Sequence, residues 1–255
     1  MDWRSRLDFF FDNFELKADV CGIVVCGSYV TGGANIHSDL DVHFVLDNKV
    51  DFRQRGNRYV EGLLIEYFAN PPQQIRRYFA DDIASFRLNS LVQFATGEVY
   101  FDRQGVAAGL KEEAIRLHKE FYEQSSAAKE MASLNKYGIW DMKDNLQAAK
   151  LTGRIDIDFL HHVYLDRLIQ LYMKHIKRPY DAMLILGNID DEKFRKKYLL
   201  QRLPDPEIAE LIASSVSTAN AERKVSLFMN LADKILEKFG GFEIDGFRSK
   251  SPLDL

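Results

Sequence analysis

The sequence lacks several features that define whole classes of protein. Its 255 residues include two cysteines and six prolines, and no apolar run approaches the roughly 20 residues needed to cross a bilayer. The amino-terminal segment lacks the basic start and uninterrupted apolar stretch of a signal peptide. We therefore expect a cytoplasmic protein that does not span a membrane.

The two cysteines give no sign of a disulfide or a zinc site. Cys21 and Cys26 lie five residues apart in an apolar stretch, so an extended strand would point them to opposite faces. The spacing also fits no zinc-binding pattern. We interpret both residues as small buried thiols.

The sequence has no excess of positively charged residues. The formal net charge is −4 and the sequence pI is about 5.9. A protein whose partner is a nucleic-acid polymer usually carries a basic face, so we expect no nucleic-acid partner. Mild acidity suits a small substrate, and it would steer a cationic one favourably. The sequence leaves open whether the chain is a monomer or a homodimer.

Strand and helix signals divide the chain into two parts. Short β-branched and apolar runs predict strands at residues 21–26, 39–46, 59–68 and 97–102. Helical spacing predicts the main helices at residues 2–16, 73–95, 127–151, 156–176 and 219–239, and Asp205-Pro206 is typical of a further helix start. The sequence therefore predicts an α+β fold: a small mixed-sheet domain at residues 1–106, followed by an all-α helical bundle at residues 107–255.

The clearest chemical signal is a pair of aspartates at the start of the second strand. Asp39 and Asp41 are two residues apart, and side chains alternate across a strand, so both carboxylates point to one face. Their Cα atoms would be about 6.6 Å apart, which lets both carboxylates converge on a hard cation. Magnesium takes oxygen ligands of this kind and shares its remaining positions with substrate phosphates.

Two further features lie at suggestive distances from this pair. Glu66 lies within an apolar strand, where an unpaired carboxylate is costly to bury, so it is either solvated or has a cation partner. Gly27-Ser28 directly follows the first strand, and a glycine–serine turn lets a ligand approach the backbone and offers donors to phosphate oxygens. The segment contains neither a Walker loop nor a dinucleotide-binding fingerprint.

Together these elements resemble the nucleotidyltransferase pattern of the DNA polymerase beta superfamily. The match is GSYVTGGANIHSDLDVHFVL followed by LIEYF, and it covers about 50 residues. Chain length, the GEVYFD segment at residues 97–102 and the helical second half resemble the aminoglycoside and streptomycin adenylyltransferase type.

The resemblance implies a role for each matching residue. Gly27 and Ser28 would contact the triphosphate, and Asp39 and Asp41 would bind Mg²⁺. Glu66 would be either the third ligand or the base that takes the proton of the acceptor hydroxyl. The implied reaction moves AMP from ATP to a hydroxyl of a small molecule, possible acceptors including an aminoglycoside-like antibiotic.

Secondary candidates lie outside this pattern. The predicted helix at residues 127–151 carries Lys143, Lys150 and Trp140 on one stripe, which is either a solvated face or a surface where lysines meet the triphosphate and the tryptophan meets the base or substrate. Glu98 is a candidate for substrate contact because it lies in the segment that leads to the helical half.

Two alternative functions remain open from the sequence. The same chemistry could act on a protein side chain or an RNA end, although the acidic pI counts against RNA. The chain could also be a nucleotide-binding module that has lost turnover, although the intact Asp39, Asp41 and Glu66 count against that interpretation.

Overall fold

The computed structural model describes residues 2–123, 131–182 and 185–250. The chain divides into two compact units, one comprising Met1–Gln124 with Lys197–Leu199 and the other comprising Ser125–Lys196 with Leu200–Leu255. In the described part of the chain, no helix is both long and apolar enough to cross a membrane. The fold is α+β, as predicted.

The first unit is built on a five-stranded mixed sheet with strand order β3-β4-β2-β1-β5. Its strands are β1 (Val20–Cys26), β2 (Leu40–Leu46), β3 (Gln54–Val60), β4 (Leu63–Asn70) and β5 (Glu98–Asp102). Only the β2–β4 pair is parallel, because the chain leaves β2, runs along the outer strand β3 and returns as β4 between them. This return places β4 directly beside β2, the strand that carries Asp41.

The first unit also contains five α-helices. They are α1 (Trp3–Asp12), α2 (Ser28–Thr31), α3 (Pro72–Ser85), α4 (Asn89–Thr96) and α5 (Val106–Glu123). The predicted strands at 21–26, 39–46 and 97–102 correspond to β1, β2 and β5 within one residue at each end.

Alternation along the strands gives each face of the sheet its own core. On one face, Phe44 of β2 packs with Phe10 and Phe14 from the α1 segment, and the Phe14 and Phe44 rings stack with centroids 4.5 Å apart. On the other face, Val24 and Val45 pack with residues of α3, α4 and α5. Burial of each aromatic side chain stabilises the fold by on the order of 1.5–3 kcal/mol. A slip of one residue would move the side chains of a strand to the opposite face, so the strand register is strongly specified.

One predicted strand is in fact a hairpin. The sequence predicts a single strand at residues 59–68, but Glu61 and Gly62 take positive φ values of 45° and 81° and reverse the chain between β3 and β4. Val60 pairs with Leu63 across this two-residue turn. Glycine tolerates the left-handed conformation without a Cβ penalty, so Glu61-Gly62 was the signal for the turn.

The predicted helix at residues 73–95 is also divided, into α3 and α4. Phe86 and Leu88 between them have φ values of 58° and 57°. The carboxylate of Asp82 accepts a hydrogen bond from the backbone N–H of Leu91, at 3.0 Å. A side-chain acceptor at the start of a helix satisfies a donor that has no partner within that helix, and this favours a new start over continuation.

By contact, the division between the units falls later in the chain than the predicted junction between residues 106 and 107. Helix α5 packs on the sheet through Ala107, Leu110 and Ala114, and the carboxylate of Asp102 accepts from the N–H of Ala108 at 2.9 Å. Small residues permit this close packing: a Cβ added at Gly22 would lie 2.7 Å from the Ala107 Cβ. Where the functional domains divide stays a prediction.

The second unit is helical in its described residues. Its helices are α6 (Ser133–Leu151), α7 (Ile157–His175), α8 (Ile185–Asp190), α9 (Glu192–Lys197), α10 (Pro206–Ser217) and α11 (Ala221–Lys238), with Lys197 at the end of α9 grouped with the first unit. Residues 127–130 of one predicted helix lie outside the described residues. Helices α6, α7, α10 and α11 share one core that includes Leu146, Tyr172 and Phe228.

The helix start at Asp205-Pro206 is where the sequence predicts it, although the Asp205 side chain bonds to other segments and does not cap the helix. Pro206 is the first residue of α10, but the Asp205 side chain makes no cap hydrogen bond to the helix. Its two oxygens accept from the Tyr172 hydroxyl at 2.5 Å and from the Lys238 ammonium at 2.7 Å. Asp205 therefore joins three segments of the helical unit.

Candidate active site

Strand β2 brings the two aspartates to the sheet face that α3 and α4 partly cover. Asp41 is the second residue of β2, and Asp39 directly precedes Leu40, where the strand begins. The alternating residues Leu40, Val42 and Phe44 are buried in the opposite core. The carboxylates therefore lie on one face because the apolar residues between them fill the other.

Glu66 reaches the same place through strand register. In the parallel pairing of β2 and β4, Asp41 is the direct partner of Glu66, and Leu40 is the partner of Ile65. Residues that pair across a sheet point to the same face. A shift of one residue in register would have sent Glu66 into the core.

Asp39, Asp41 and Glu66 form one acidic cluster. Each of these half-buried residues offers a carboxylate oxygen, and the three oxygens lie within 4.8 Å of one another. An all-carboxylate donor set of this size suits a hard divalent cation such as Mg²⁺, which keeps water or phosphate oxygens in its remaining positions. The residues present therefore fit a divalent metal ion.

The cluster carries an electrostatic cost that a cation would relieve. Burial, followed by the neighbouring charges of Asp39 and Glu66, raises the pKa of Asp41 to about 6, although Lys197, which groups with this unit, acts to lower it. Burial, followed by the charge of Asp41, also raises the pKa of the Cys26 thiol well above its usual range. Like charges this close disfavour full ionisation unless a counter-charge is present.

The Gly27-Ser28 turn lies directly against the cluster. Gly27 directly follows β1 with a φ of 74°, and a Cβ added there would lie 2.1 Å from Oδ2 of Asp41. A side chain at this position would be strained by the positive φ and would displace the Asp41 carboxylate, so glycine suits both the backbone conformation and the space. Ser28 begins the short helix α2, and its role in binding triphosphate stays a prediction.

Arg55 is a site residue that the sequence analysis missed. Its guanidinium donates to Oε1 of Glu66 at 2.5 Å, and it lies over the Phe68 ring at 4.9 Å from the centroid. Arg55 belongs to β3, which the sequence analysis did not predict as a separate strand. The sequence signal that could have predicted Arg55 is Arg53-x-Arg55, two arginines at alternate positions ahead of a turn.

The structure does not bring Glu98 to the acidic cluster. Glu98 pairs in register with Val25, which belongs to the core on the α1 face of the sheet, opposite to that of Asp41. Its two carboxylate oxygens accept from Arg4 at 2.9 and 2.8 Å. This ion pair fastens α1 to β5, and a role of Glu98 in substrate contact stays a prediction without support from this geometry.

Lys143, Lys150 and Trp140 lie on α6 in the second unit. The Lys143 ammonium pairs with Asp233 of α11, and Lys150 is exposed near the end of its helix. The Trp140 ring is half-buried and stacks on Tyr137 with centroids 6.2 Å apart. These contacts lie within the helical unit, and the nucleotide and substrate roles of the three residues stay predictions.

Residues 10–87 match the family described as "Nucleotidyltransferase domain", and this range contains the whole cluster. Residues 10–87 therefore form a nucleotidyltransferase domain of the DNA polymerase beta-like superfamily.

Among solved structures, the chain is similar to a nucleotidyltransferase-like protein from Exiguobacterium sibiricum. The two are 13% identical with a TM-score of 0.46, and the alignment covers 92% of this chain and 75% of that one. No curated protein matches the chain.

Proposed function

We propose that this nucleotidyltransferase transfers AMP from ATP to a hydroxyl of a small molecule, with Mg²⁺ bound by Asp39, Asp41 and Glu66. The observation that carries the proposal is the approach of these three carboxylates to within 4.8 Å of one another, beside Gly27. Three acids so close serve stability poorly, because each raises the cost of ionising the others. They are well suited to holding a divalent ion against a triphosphate.

The reaction is an in-line displacement at phosphorus. The acceptor oxygen forms a bond to the α-phosphorus of ATP, the bond to the bridging oxygen breaks, and pyrophosphate leaves with that electron pair. The metal, when bound, supplies positive charge that neutralises the attacking and leaving oxygens. The hydroxyl proton passes to a carboxylate or to water at the site.

The protein's own residues position the reacting groups. Gly27 has no side chain, and this leaves room for the Asp41 carboxylate to lie against the backbone of the turn. Arg55 holds one oxygen of Glu66, which fixes the orientation of that carboxylate toward the cluster. Glu66 acts either as the third ligand or as the base, and these two roles make different predictions for metal affinity.

The test is label transfer from α-labelled ATP, with Mg²⁺, to a panel of hydroxyl acceptors, followed by pyrophosphate release. The panel includes an aminoglycoside, because the resemblance drawn from the sequence makes one a candidate acceptor. Asp41→Asn should abolish both signals, whereas Asp51→Asn, the same change at an exposed acid outside the cluster, should not. Label on protein or RNA would favour a macromolecular acceptor. Nucleotide binding without pyrophosphate release would refute turnover.

A further inference from the structure

A cavity of about 530 Å³ lies beside the acidic cluster on the same face of the sheet. Its floor is the next in-register pair along β2 and β4: His43 pairs with Phe68, just as Asp41 pairs with Glu66. Residues two apart on a strand are about 6.6 Å apart, so a small molecule in the cavity could reach the cluster. A volume of this size is typical of ligand sites, which run from roughly 300 to 1,000 Å³.

The charge of this cavity is positive. Arg55 of β3 and Arg53, which directly precedes that strand, line it, and none of its lining residues, all of them in the described part of the chain, carries a carboxylate. Arg55 already pairs with Glu66, but Arg53 has no acidic partner among the described residues. A guanidinium without a counter-charge in a concave site attracts an anion.

Arg53 is held in place by neutral groups. Its guanidinium donates to the Tyr78 hydroxyl at 3.0 Å, and that hydroxyl donates to the Asn70 side-chain oxygen at 3.4 Å. A guanidinium has five N–H donors, so this arrangement orients the group and leaves donors for a ligand. Pre-orientation of this kind lowers the entropic cost of binding.

The remaining lining favours polar recognition over stacking. The Phe68 ring already contacts the His43 ring, with centroids 5.1 Å apart, and the Arg55 guanidinium. His43 is 6% exposed, and its Nδ1 has no hydrogen-bond partner among the described residues, while its Nε2 lies 3.3 Å from the Gln93 side-chain oxygen. An unpartnered buried polar atom at the cavity floor is costly unless a ligand or water satisfies it.

We propose that this cavity, the Arg53 cavity, binds the acceptor of the transfer reaction, and that the acceptor carries an anionic group, a carboxylate or a phosphate, as well as the reacting hydroxyl. This inference rests on the proposed function for the word acceptor, but the anion site stands on its own geometry. A polycation such as an aminoglycoside would meet two guanidinium groups here and be repelled. The cavity therefore points away from the acceptor class that chain architecture favours.

Direct binding tests the anion site without any turnover. Inorganic phosphate is titrated into the full-length protein and followed by phosphorus NMR, for wild type, Arg53→Gln and Arg58→Gln. Arg58 lies on β3, the strand that directly follows Arg53, at a position of opposite parity and outside the cavity lining, so it is a matched control. We expect Arg53→Gln to weaken phosphate binding about fivefold or more, as for loss of a charge-assisted contact, and Arg58→Gln to leave it unchanged. Equal affinities for Arg53→Gln and wild type would overturn the proposal.

Label transfer tests the acceptor class. Glucose, glucose 6-phosphate, gluconate, glucosamine and an aminoglycoside are compared as acceptors of label from ATP. A kcat/KM about tenfold higher for an anionic sugar than for glucose, lost in Arg53→Gln, supports the assignment. A preference for the cationic members overturns it. Absence of pyrophosphate release from wild type would instead count against the proposed function, and phosphate binding at Arg53 would still be measured.

Discussion

Replacing Asp41 by asparagine should make the metal-free protein more stable at neutral pH, although it should destroy activity. The Asp41 carboxylate is partly buried next to two other acids, and burial together with their charges raises its pKa from 3.8 to about 6. The unfolded chain ionises this group at its ordinary pKa, so the folded state bears the cost of the charge. Asparagine keeps the shape of the side chain and removes that cost.

The size and sign of the effect follow from the two pKa values. Because the folded pKa is the higher one, the folded state binds the proton more tightly, and stability falls as pH rises from about 4 to about 6. A difference of this size corresponds to about 3 kcal/mol at 1.36 kcal/mol per pH unit, and solvent screening of a partly exposed group reduces it to about 1–2 kcal/mol. Above pH 6 the full penalty applies, and below pH 4 it vanishes.

Urea unfolding in the presence of a chelator measures this directly. At pH 7.5 the free energy of unfolding should be about 1–2 kcal/mol higher for Asp41→Asn than for wild type, and at pH 4 the two should coincide. Adding Mg²⁺ at pH 7.5 should stabilise wild type and not the variant. Asp51→Asn, at an exposed acid, should match wild type throughout. An equal gain at both pH values, or no gain, would refute the account of the cluster.

Three further predictions concern Gly27, Glu66 and Lys143. Gly27→Ala should reduce Mg²⁺ affinity and turnover together, measured by metal titration and label transfer, because the new Cβ would lie 2.1 Å from Oδ2 of Asp41; a fully active variant would show that the turn is not constrained. Glu66→Gln should weaken Mg²⁺ binding about tenfold or more if Glu66 is a ligand, whereas unchanged metal affinity with lost turnover would identify it as the base. Lys143→Ala should raise the Michaelis constant for ATP several-fold, whereas Asp233→Asn, which removes only its ion-pair partner, should not. If both variants lower the free energy of unfolding by equal amounts and leave the Michaelis constant unchanged, the Lys143 ion pair is structural.

Much of the core of the site could be predicted from the sequence because it depends on local geometry. Two residues separated by one position on a strand share a face in any protein, so Asp39 and Asp41 had to converge once β2 formed. The turn after β1 could also be predicted, since Gly27 directly follows a buried strand rich in β-branched residues. Glu66 stood out as a carboxylate within an apolar strand, and the family resemblance assigned it a role beside the aspartates.

The misplaced elements share a different cause. Glu61-Gly62 and the segment from Phe86 to Leu88 reverse or break the chain, and both depend on left-handed backbone conformations at non-glycine residues. Intrinsic propensity disfavours such conformations, and tertiary contacts such as the Asp82 cap of α4 override it. Missing the hairpin concealed β3, and with it Arg53 and Arg55.

By itself, the sequence determined the α+β class, the helical second half and the identity of the acidic cluster. Only the tertiary structure decided what each remaining polar residue faces: Glu66 beside Asp41, Glu98 on the opposite side with Arg4, and Arg53 at a cavity. The reason is that side-chain alternation is local, whereas strand register and strand order are fixed by packing between distant segments. A carboxylate's neighbours therefore follow from the fold, and so does the charge of the Arg53 cavity.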